Sequence, residues 1–109
     1  MAESKEKTVE AAVEIVDDNV VDLKRPLANG SQVLKLDFDK INGYTLIACE
    51  KKAKKEDPTI SVPAVSQIYQ AYVAAAASGM KYDDILGLNG SDFTAVCIKT
   101  QGFLAGSVR

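Results

Sequence analysis

Apolar residues follow two different periods along the chain, and the shorter period comes first. Within residues 32–38, the apolar Leu34, Leu36 and Phe38 alternate with the charged Lys35 and Asp37, as in a strand with one buried face. Residues 20–27 begin with β-forming residues, and the pair Asn29-Gly30 favours a type I′ turn. The pattern predicts a hairpin with strands at 20–27 and 32–38, joined at 28–31.

Further along the chain, apolar residues recur every three or four positions, which is the period of an amphipathic helix. This spacing predicts three main helices at about 41–56, 63–78 and 92–105, and a short helix at 81–87. A lone hairpin is marginal in water, so its apolar face has to lie on these helices. The predicted fold is mainly α with a small N-terminal β-hairpin (α+β), in which three main helices and a short helix pack on the hairpin.

Capping residues set the predicted helix boundaries. Asp39 or Asn42 can cap the first helix, Pro63 suits the first turn of the second, and Ser91 can cap the last. Helical spacing also predicts the inner faces: Ile41, Tyr44, Ile47 and Ala48 in the first helix; Val65, Ile68, Tyr69, Tyr72, Val73 and Ala76 in the second; Phe93, Val96, Cys97, Thr100, Phe103 and Leu104 in the last.

The first residues of the chain have a different character. Residues 1–7 are polar, and residues 8–16, TVEAAVEIV, place Val9, Val13 and Val16 at helical spacing. A run of about two and a half turns is marginal as an isolated helix. We therefore expect a flexible, partly helical arm at 1–18 and a single domain at 19–109, which suits a chain of 109 residues.

Composition narrows the possible functions. The net charge is −2 and the pI is near 5.1, whereas proteins that bind the phosphate backbone of nucleic acids normally carry a basic excess. The chain has no histidine, so it lacks both the side chain that titrates near neutrality and the commonest metal ligand. We expect a protein that is not an enzyme and does not bind nucleic acid.

Membrane insertion and export are also not predicted. The longest apolar stretch, Ala71 to Ala77, is far too short to cross a bilayer, and residues 1–7 lack the apolar core of an export signal. We therefore expect the protein to stay in the cytoplasm where it is made. Cys49 and Cys97 show no C-x-x-C spacing and read as small buried hydrophobes; a disulfide would require the fold to bring them together.

Two pairs of carboxylates are candidates for a metal or catalytic site. Asp37 and Asp39 would share one face of a strand and could bind a cation, but a solvated Asp37 and a capping Asp39 are the simpler interpretation. Adjacent Asp83 and Asp84 would stabilise the positive end of a short helix. No phosphate loop or nucleophile motif occurs. We assign no catalytic, cofactor or metal residue.

Candidate protein contacts come from tyrosines and lysines. Tyr69 and Tyr72 lie three residues apart on one predicted face and could belong to the core between helices or to a partner contact. Lys51, Lys52 and Lys55 belong to the one basic run of the chain, which is either a solvated helix end or a surface for an acidic protein.

Residues 30–105 resemble the small tail assembly chaperones of long-tailed phages and prophages, especially those of Gram-positive hosts. The resemblance lies in the order of elements and in packing and capping residues, not in a catalytic motif. The matching residues are LKLDFDKING at 34–43, Leu46-Ile47, Glu50, Ser66, Tyr69-Gln70, Val73 to Ala75, Asp83 to Leu88, Asp92-Phe93 and Phe103-Leu104.

The resemblance implies a specific function. Such a protein would bind the long, helical tape measure protein in the host bacterial cytoplasm, keep it soluble, and help to recruit subunits of the major tail tube protein. It would be absent from the mature virion. Members of the family often self-associate, so a homo-oligomer is implied. The resemblance assigns no role to residues 1–18.

Other classes of function remain open from the sequence. A minor structural or adaptor protein of the phage particle would need the same packing residues. A small nucleic-acid-binding regulator would need a basic recognition helix, and the last predicted helix carries only Lys99. A small enzyme would need a converging pair of catalytic groups, which the sequence does not indicate.

Overall fold

The computed structural model describes residues 19–106, so the predicted arm at 1–18 lies outside the described residues. The predicted hairpin is confirmed. Strand β1 (Val20–Asp22) pairs antiparallel with β2 (Val33–Lys35), and Val21 lies opposite Leu34. Both strands are shorter than predicted, because residues 23–32 leave the ladder after one further bond, from the Leu23 N–H to the Gln32 carbonyl at 2.8 Å.

The predicted type I′ turn is wrong. The Gly30 N–H donates to the Leu27 carbonyl at 2.8 Å, and the Leu27 N–H donates to the Ser31 carbonyl at 2.8 Å. The tight turn therefore begins at Leu27, one residue earlier than a turn centred on Asn29-Gly30 would. Gly30 follows the turn with a φ of +86°, a left-handed conformation that glycine adopts at no steric cost.

The helical elements confirm the predicted α+β class. Within residues 19–106, two short 3-10 turns accompany four α-helices, of which three are long. The 3-10 turns are Phe38–Lys40 and Pro63–Val65, and the helices are α1 (Gly43–Glu56), α2 (Gln67–Ser78), α3 (Tyr82–Leu86) and α4 (Gly90–Leu104). None of the helices among residues 19–106 is both long enough and apolar enough to cross a membrane.

Asparagine caps both α1 and α4. The side-chain oxygens of Asn42 and Asn89 accept the backbone N–H three residues further on, at 3.0 and 2.8 Å. Of the two caps considered for α1, Asn42 is therefore the one used, while Asp39 lies in the preceding 3-10 turn. The prediction that Ser91 caps α4 is wrong, because Asn89 takes that position and the helix begins at Gly90.

Helix α2 begins four residues later than predicted. The Ser66 hydroxyl accepts the backbone N–H of Tyr69 at 3.4 Å and caps the helix. Pro63 opens a separate 3-10 turn instead, and the buried Gln70 amide holds this turn by donating to the Ala64 carbonyl at 2.8 Å. Because it precedes the cap, Val65 is not part of the helical stripe and is 63% exposed.

Helix α2 is the centre of the core. It packs against α1, α3 and α4, and it also contacts the hairpin. Its predicted inner residues Tyr69 and Val73 are buried, but the burial extends further round the helix than one stripe, whereas Ala76 is exposed. Alanines make this possible, because they let several neighbours approach the helix closely. The alanines buried in α2 are Ala71, Ala74, Ala75 and Ala77.

The hairpin lies against α2 and α4, and its apolar face is buried as predicted. Leu34, Leu36 and Phe38 are each at most 4% exposed. The Phe38 ring stacks on that of Phe103 in α4, with 4.4 Å between centroids. Leu36 and Phe38 follow β2, and the hairpin, the 3-10 turn after it and the last helix therefore share one core.

The predicted inner face of the first helix is wrong for Tyr44, Ile47 and Ala48, whereas Ile41, which precedes α1, is partly buried and packs against the core. Tyr44 is 90% exposed, Ile47 is 54% exposed and Ala48 is also exposed, whereas Cys49 and Ala53 are buried. Tyr44 and Ala53 are nine residues apart, which is two and a half turns of about 3.6 residues, so they lie on opposite sides of the helix. The side with small residues packs on α2 because it allows the closer approach.

Candidate protein-contact surface

An apolar strip lies on the exposed side of α1. We define the outer face of α1 as Tyr44, Ile47, Ala48, Lys51 and Lys55, all of which are exposed. The spacing of these residues follows one side of the helix. The N-terminal half of this face lines a shallow groove together with Asn42 and Gly43.

The predicted contact residue Tyr72 takes part in a cluster within the protein. Its ring stacks on the Tyr82 ring with centroids 3.8 Å apart, and its hydroxyl donates to the Glu56 carboxylate. The Lys52 ammonium lies 5.9 Å from the centroid of the Tyr72 ring, a cation–π distance. Tyr72 and Lys52 therefore help to join α1, α2 and α3.

Burial and the Glu56 carboxylate act on the phenols of this cluster in the same direction. Loss of hydration, followed by the hydrogen bond to Glu56 and its charge, raises the pKa of Tyr72. The pKa of Tyr82 is raised by loss of hydration and by the Glu56 charge. Both phenols therefore stay protonated at neutral pH and act as hydrogen-bond donors or packing surfaces, not as bases.

Tyr69 lies in the core between helices. Its side chain is 6% exposed and belongs to a cluster with Cys49, Ala53 and Val73. Burial raises the pKa of its phenol. The tyrosine that α1 presents to solvent is Tyr44, although the sequence pattern predicts it in the core.

The predicted lysines divide between two sides of α1. Lys51 lines the apolar groove, while Lys52 lines a second cavity beside Tyr72. Lys54 is paired with Glu50 at 3.0 Å, one helical turn away. Lys51 and Lys55 are thus the cations that continue the outer face of α1 towards its C-terminal end.

Asp92 is a structural residue that the sequence pattern does not indicate. Its carboxylate is 2% exposed and accepts the backbone N–H groups of Lys24 at 2.9 Å and Arg25 at 3.2 Å. This contact fixes the loop after β1 to the first turn of α4. A charge in the first turn of a helix also interacts favourably with the helix dipole. The sequence showed only an ordinary acidic residue after a turn.

The other polar groups have local roles. The Asp84 carboxylate accepts the Lys81 backbone N–H at 3.4 Å at the start of α3, and Asp83 and Asp39 are exposed. No group of three or more metal-ligating side chains occurs within residues 19–106. Cys49 and Cys97 are buried free thiols, as expected. Burial raises the pKa of both thiols, that of Cys97 to about 11.

No known protein family, curated protein or solved structure matches the chain.

Proposed function

We propose that this protein is a non-catalytic assembly chaperone that binds an extended helical partner through the outer face of α1. The observation that carries the proposal is the exposure of Tyr44 and Ile47, at 90% and 54%, on the side of α1 that faces away from the core. Exposed aromatic and aliphatic side chains beside lysines are typical of protein contacts, because burial there removes apolar area from water.

The resemblance to phage tail assembly chaperones supports a specific partner. The proposed ligand is the tape measure protein, whose long helices could lay an apolar stripe along the groove of α1. Recruitment of the major tail tube protein, self-association, action in the host cytoplasm and absence from the mature virion belong to the same proposal. The acidic net charge of −2 favours this class over a nucleic-acid-binding regulator.

Co-expression with the tape measure protein tests the proposal. We expect the full chain to keep that protein in solution and to co-purify with it. The double variant Tyr44→Glu/Ile47→Glu should lower the affinity at least about a hundredfold, because two apolar anchors are lost and two charges would be buried.

Matched controls place the charge elsewhere on the surface. Val65 and Ile98 are each 63% exposed, so Val65→Glu and Ile98→Glu should leave the affinity unchanged. If the unaltered full chain neither solubilises nor binds the tape measure protein, the proposed function is ruled out. Equal losses in the control variants would rule out the outer face of α1 as the contact.

A further inference from the structure

The outer face of α1 changes from apolar to basic along its length. Tyr44, Ile47 and Ala48 come first, and Lys51 and Lys55 follow on the same side, seven and eleven positions after Tyr44. The observation that carries the proposed function concerns the apolar half alone. A ligand that covers the whole face has to supply apolar side chains for one half and negative charge for the other.

Lys51 and Lys55 are cations that the fold leaves available. Lys54 is paired with Glu50 at 3.0 Å, whereas within residues 19–106 no carboxylate is paired with Lys51 or Lys55. The acidic residues of α1, Glu50 and Glu56, lie about 120° to either side of the outer face at 3.6 residues per turn. The outer face therefore carries positive charge that no acidic residue of the same helix offsets.

The polarity of a helix gives the ligand a direction. The backbone of a helix carries a partial positive charge at its N-terminal end and a partial negative charge at its C-terminal end. Carboxylates are therefore most favourable in the first turns of a ligand helix. Lys51 and Lys55 belong to the C-terminal half of α1, which ends at Glu56. When carboxylates in the first turns of a ligand meet these lysines, the ligand runs antiparallel to α1 and the two helix dipoles attract each other.

The spacing of the outer face converts this direction into a sequence pattern. Along an antiparallel ligand, each step towards its C-terminal end is a step towards the N-terminal end of α1. Carboxylates facing Lys55 and then Lys51 are four positions apart. Positions three, four and seven after the second carboxylate face Ala48, Ile47 and Tyr44. Because Ala48 is the small residue of the groove, a large apolar side chain fits opposite it.

We propose that the outer face of α1 binds, in the antiparallel direction, an amphipathic helix in which two carboxylates one turn apart precede an apolar stripe. Applied to the tape measure protein, this inference rests on the proposed function and specifies which of its segments the face selects. A second copy of the chain is a poorer ligand, because its outer face would place lysines, and no carboxylate, against Lys51 and Lys55.

Two synthetic, alanine-rich helical peptides test the class of ligand. The glutamate peptide has two glutamates four positions apart, with leucines three, four and seven positions after the second glutamate. The lysine peptide has lysines in place of both glutamates. We expect the full chain to bind the glutamate peptide at least about tenfold more tightly, because two attractive charge contacts replace two repulsive ones. Equal affinities would contradict the predicted ligand class.

Charge reversal on the protein supplies the converse measurement. With Lys51→Glu/Lys55→Glu, the preference should invert, so that the lysine peptide binds at least about tenfold more tightly. Lys24→Glu/Lys35→Glu makes the same change in net charge at two exposed positions of the hairpin region and is the matched control. This control should keep the preference for the glutamate peptide. Inversion in both variants would show that net charge alone decides binding, which would overturn the proposal.

A spin label on the first residue of the glutamate peptide measures the direction of binding. The label should broaden the backbone amide signals of Lys54 and Lys55 more strongly than those of Gly43 and Tyr44, which lie about 15–18 Å away along the helix. Stronger broadening at Gly43 and Tyr44 would show a parallel ligand and overturn the antiparallel direction.

The outcomes separate this inference from the proposed function. If the tape measure protein fails to co-purify while the glutamate peptide binds as expected, the proposed function fails and the ligand class stands. If the tape measure protein binds through Tyr44 and Ile47 while charge reversal at Lys51 and Lys55 leaves the peptide preference unchanged, the inference fails and the proposed function stands. Dimers of the full chain that Ile47→Glu dissociates would assign the face to a second copy and also overturn the inference.

Discussion

Helices α1 and α2 both have apolar residues at helical spacing, but α2 is largely buried whereas α1 is largely exposed to solvent. Helix α2 has no charged residue and buries seven of its residues, whereas the buried residues of α1 are Cys49 and Ala53. The difference follows from their neighbours, because α2 is surrounded by three helices while α1 packs mainly on α2. An apolar stripe therefore indicates the core in one helix and a candidate contact surface in the other.

A larger side chain on the buried side of α2 should have the largest effect on the free energy of unfolding, and the same change on its exposed side should have little. Ala74 has no exposed surface and Ala76 is exposed on the same helix. Ala74→Leu should lower the free energy of unfolding by about 3 kcal/mol, because added methylenes force neighbouring helices apart. Ala76→Leu should change it by less than about 0.5 kcal/mol in the same urea titration. Equal costs at the two positions would contradict the central burial of α2.

Loss of the Asp92 carboxylate should come next. Asp92→Ala removes the acceptor of two backbone N–H groups and a charge from the first turn of α4, which should cost about 2–3 kcal/mol in urea denaturation. The exposed neighbour Ser91→Ala is the matched control and should be nearly neutral. Partner binding by the folded Asp92→Ala protein should persist, because the hairpin contact is separate from the outer face of α1.

Alkaline pH should distinguish the buried thiols of α1 and α4. Burial raises the pKa of Cys97 from 9.0 to about 11, so its contribution is fully present below pH 9 and is lost as the pH rises towards 11. The loss should be roughly 1–2 kcal/mol, and Cys97→Ala should flatten the decline of the unfolding free energy between these pH values.

Cys49 supplies the comparison for this titration. Burial raises its pKa, but the nearby Lys52 charge acts in the opposite direction. Cys49→Ala should therefore flatten the alkaline decline less than Cys97→Ala does. A larger effect of Cys49→Ala than of Cys97→Ala would show that the Cys49 thiol is more fully desolvated than the packing of α1 on α2 indicates. The phenols of Tyr69, Tyr72 and Tyr82, whose pKa values are also raised, should account for part of the decline above pH 10.

The smallest effect on stability should come from the outer face of α1. Tyr44→Ser and Ile47→Ser should each change the free energy of unfolding by less than about 0.5 kcal/mol, because these side chains bury little area in the described fold. Thermal unfolding measures this directly. A loss of several kcal/mol would mean that the side chains are covered in solution, which would favour self-association through this face.

The fold class followed from local patterns with strong physical causes. The alternation of Leu34, Leu36 and Phe38 specified a buried strand face, and helical spacing with turn residues between the runs placed the helices. Boundaries were less certain because several polar residues can cap a helix. Helix α4 begins after Asn89 and not at the predicted Ser91 cap, and α2 begins after Ser66 and not at Pro63. In each case the side-chain oxygen accepts the backbone N–H three residues ahead.

The candidate site was harder to predict because periodicity shows that a helix has an apolar stripe but does not show whether that stripe packs on another element or faces solvent. Tyr44 and Ile47 looked like core residues by size, yet α2 accepts the smaller Cys49 and Ala53. The abundance of alanine in α2 was the available indication that its partner would also approach through small residues. Nothing local to Asp92 indicated that its carboxylate would bind a loop 68 residues away.

That 68-residue separation has a consequence for synthesis of the chain. At about 5–20 residues per second, Asp92 follows Lys24 by about 3–14 seconds. During that interval a two-stranded hairpin is marginal by itself, and the face containing Leu34 and Phe38 lacks its support from α4. The hairpin is therefore synthesised first but gains its contacts with α4 last. A ribosome that stalls before α4 leaves the apolar face of the hairpin uncovered.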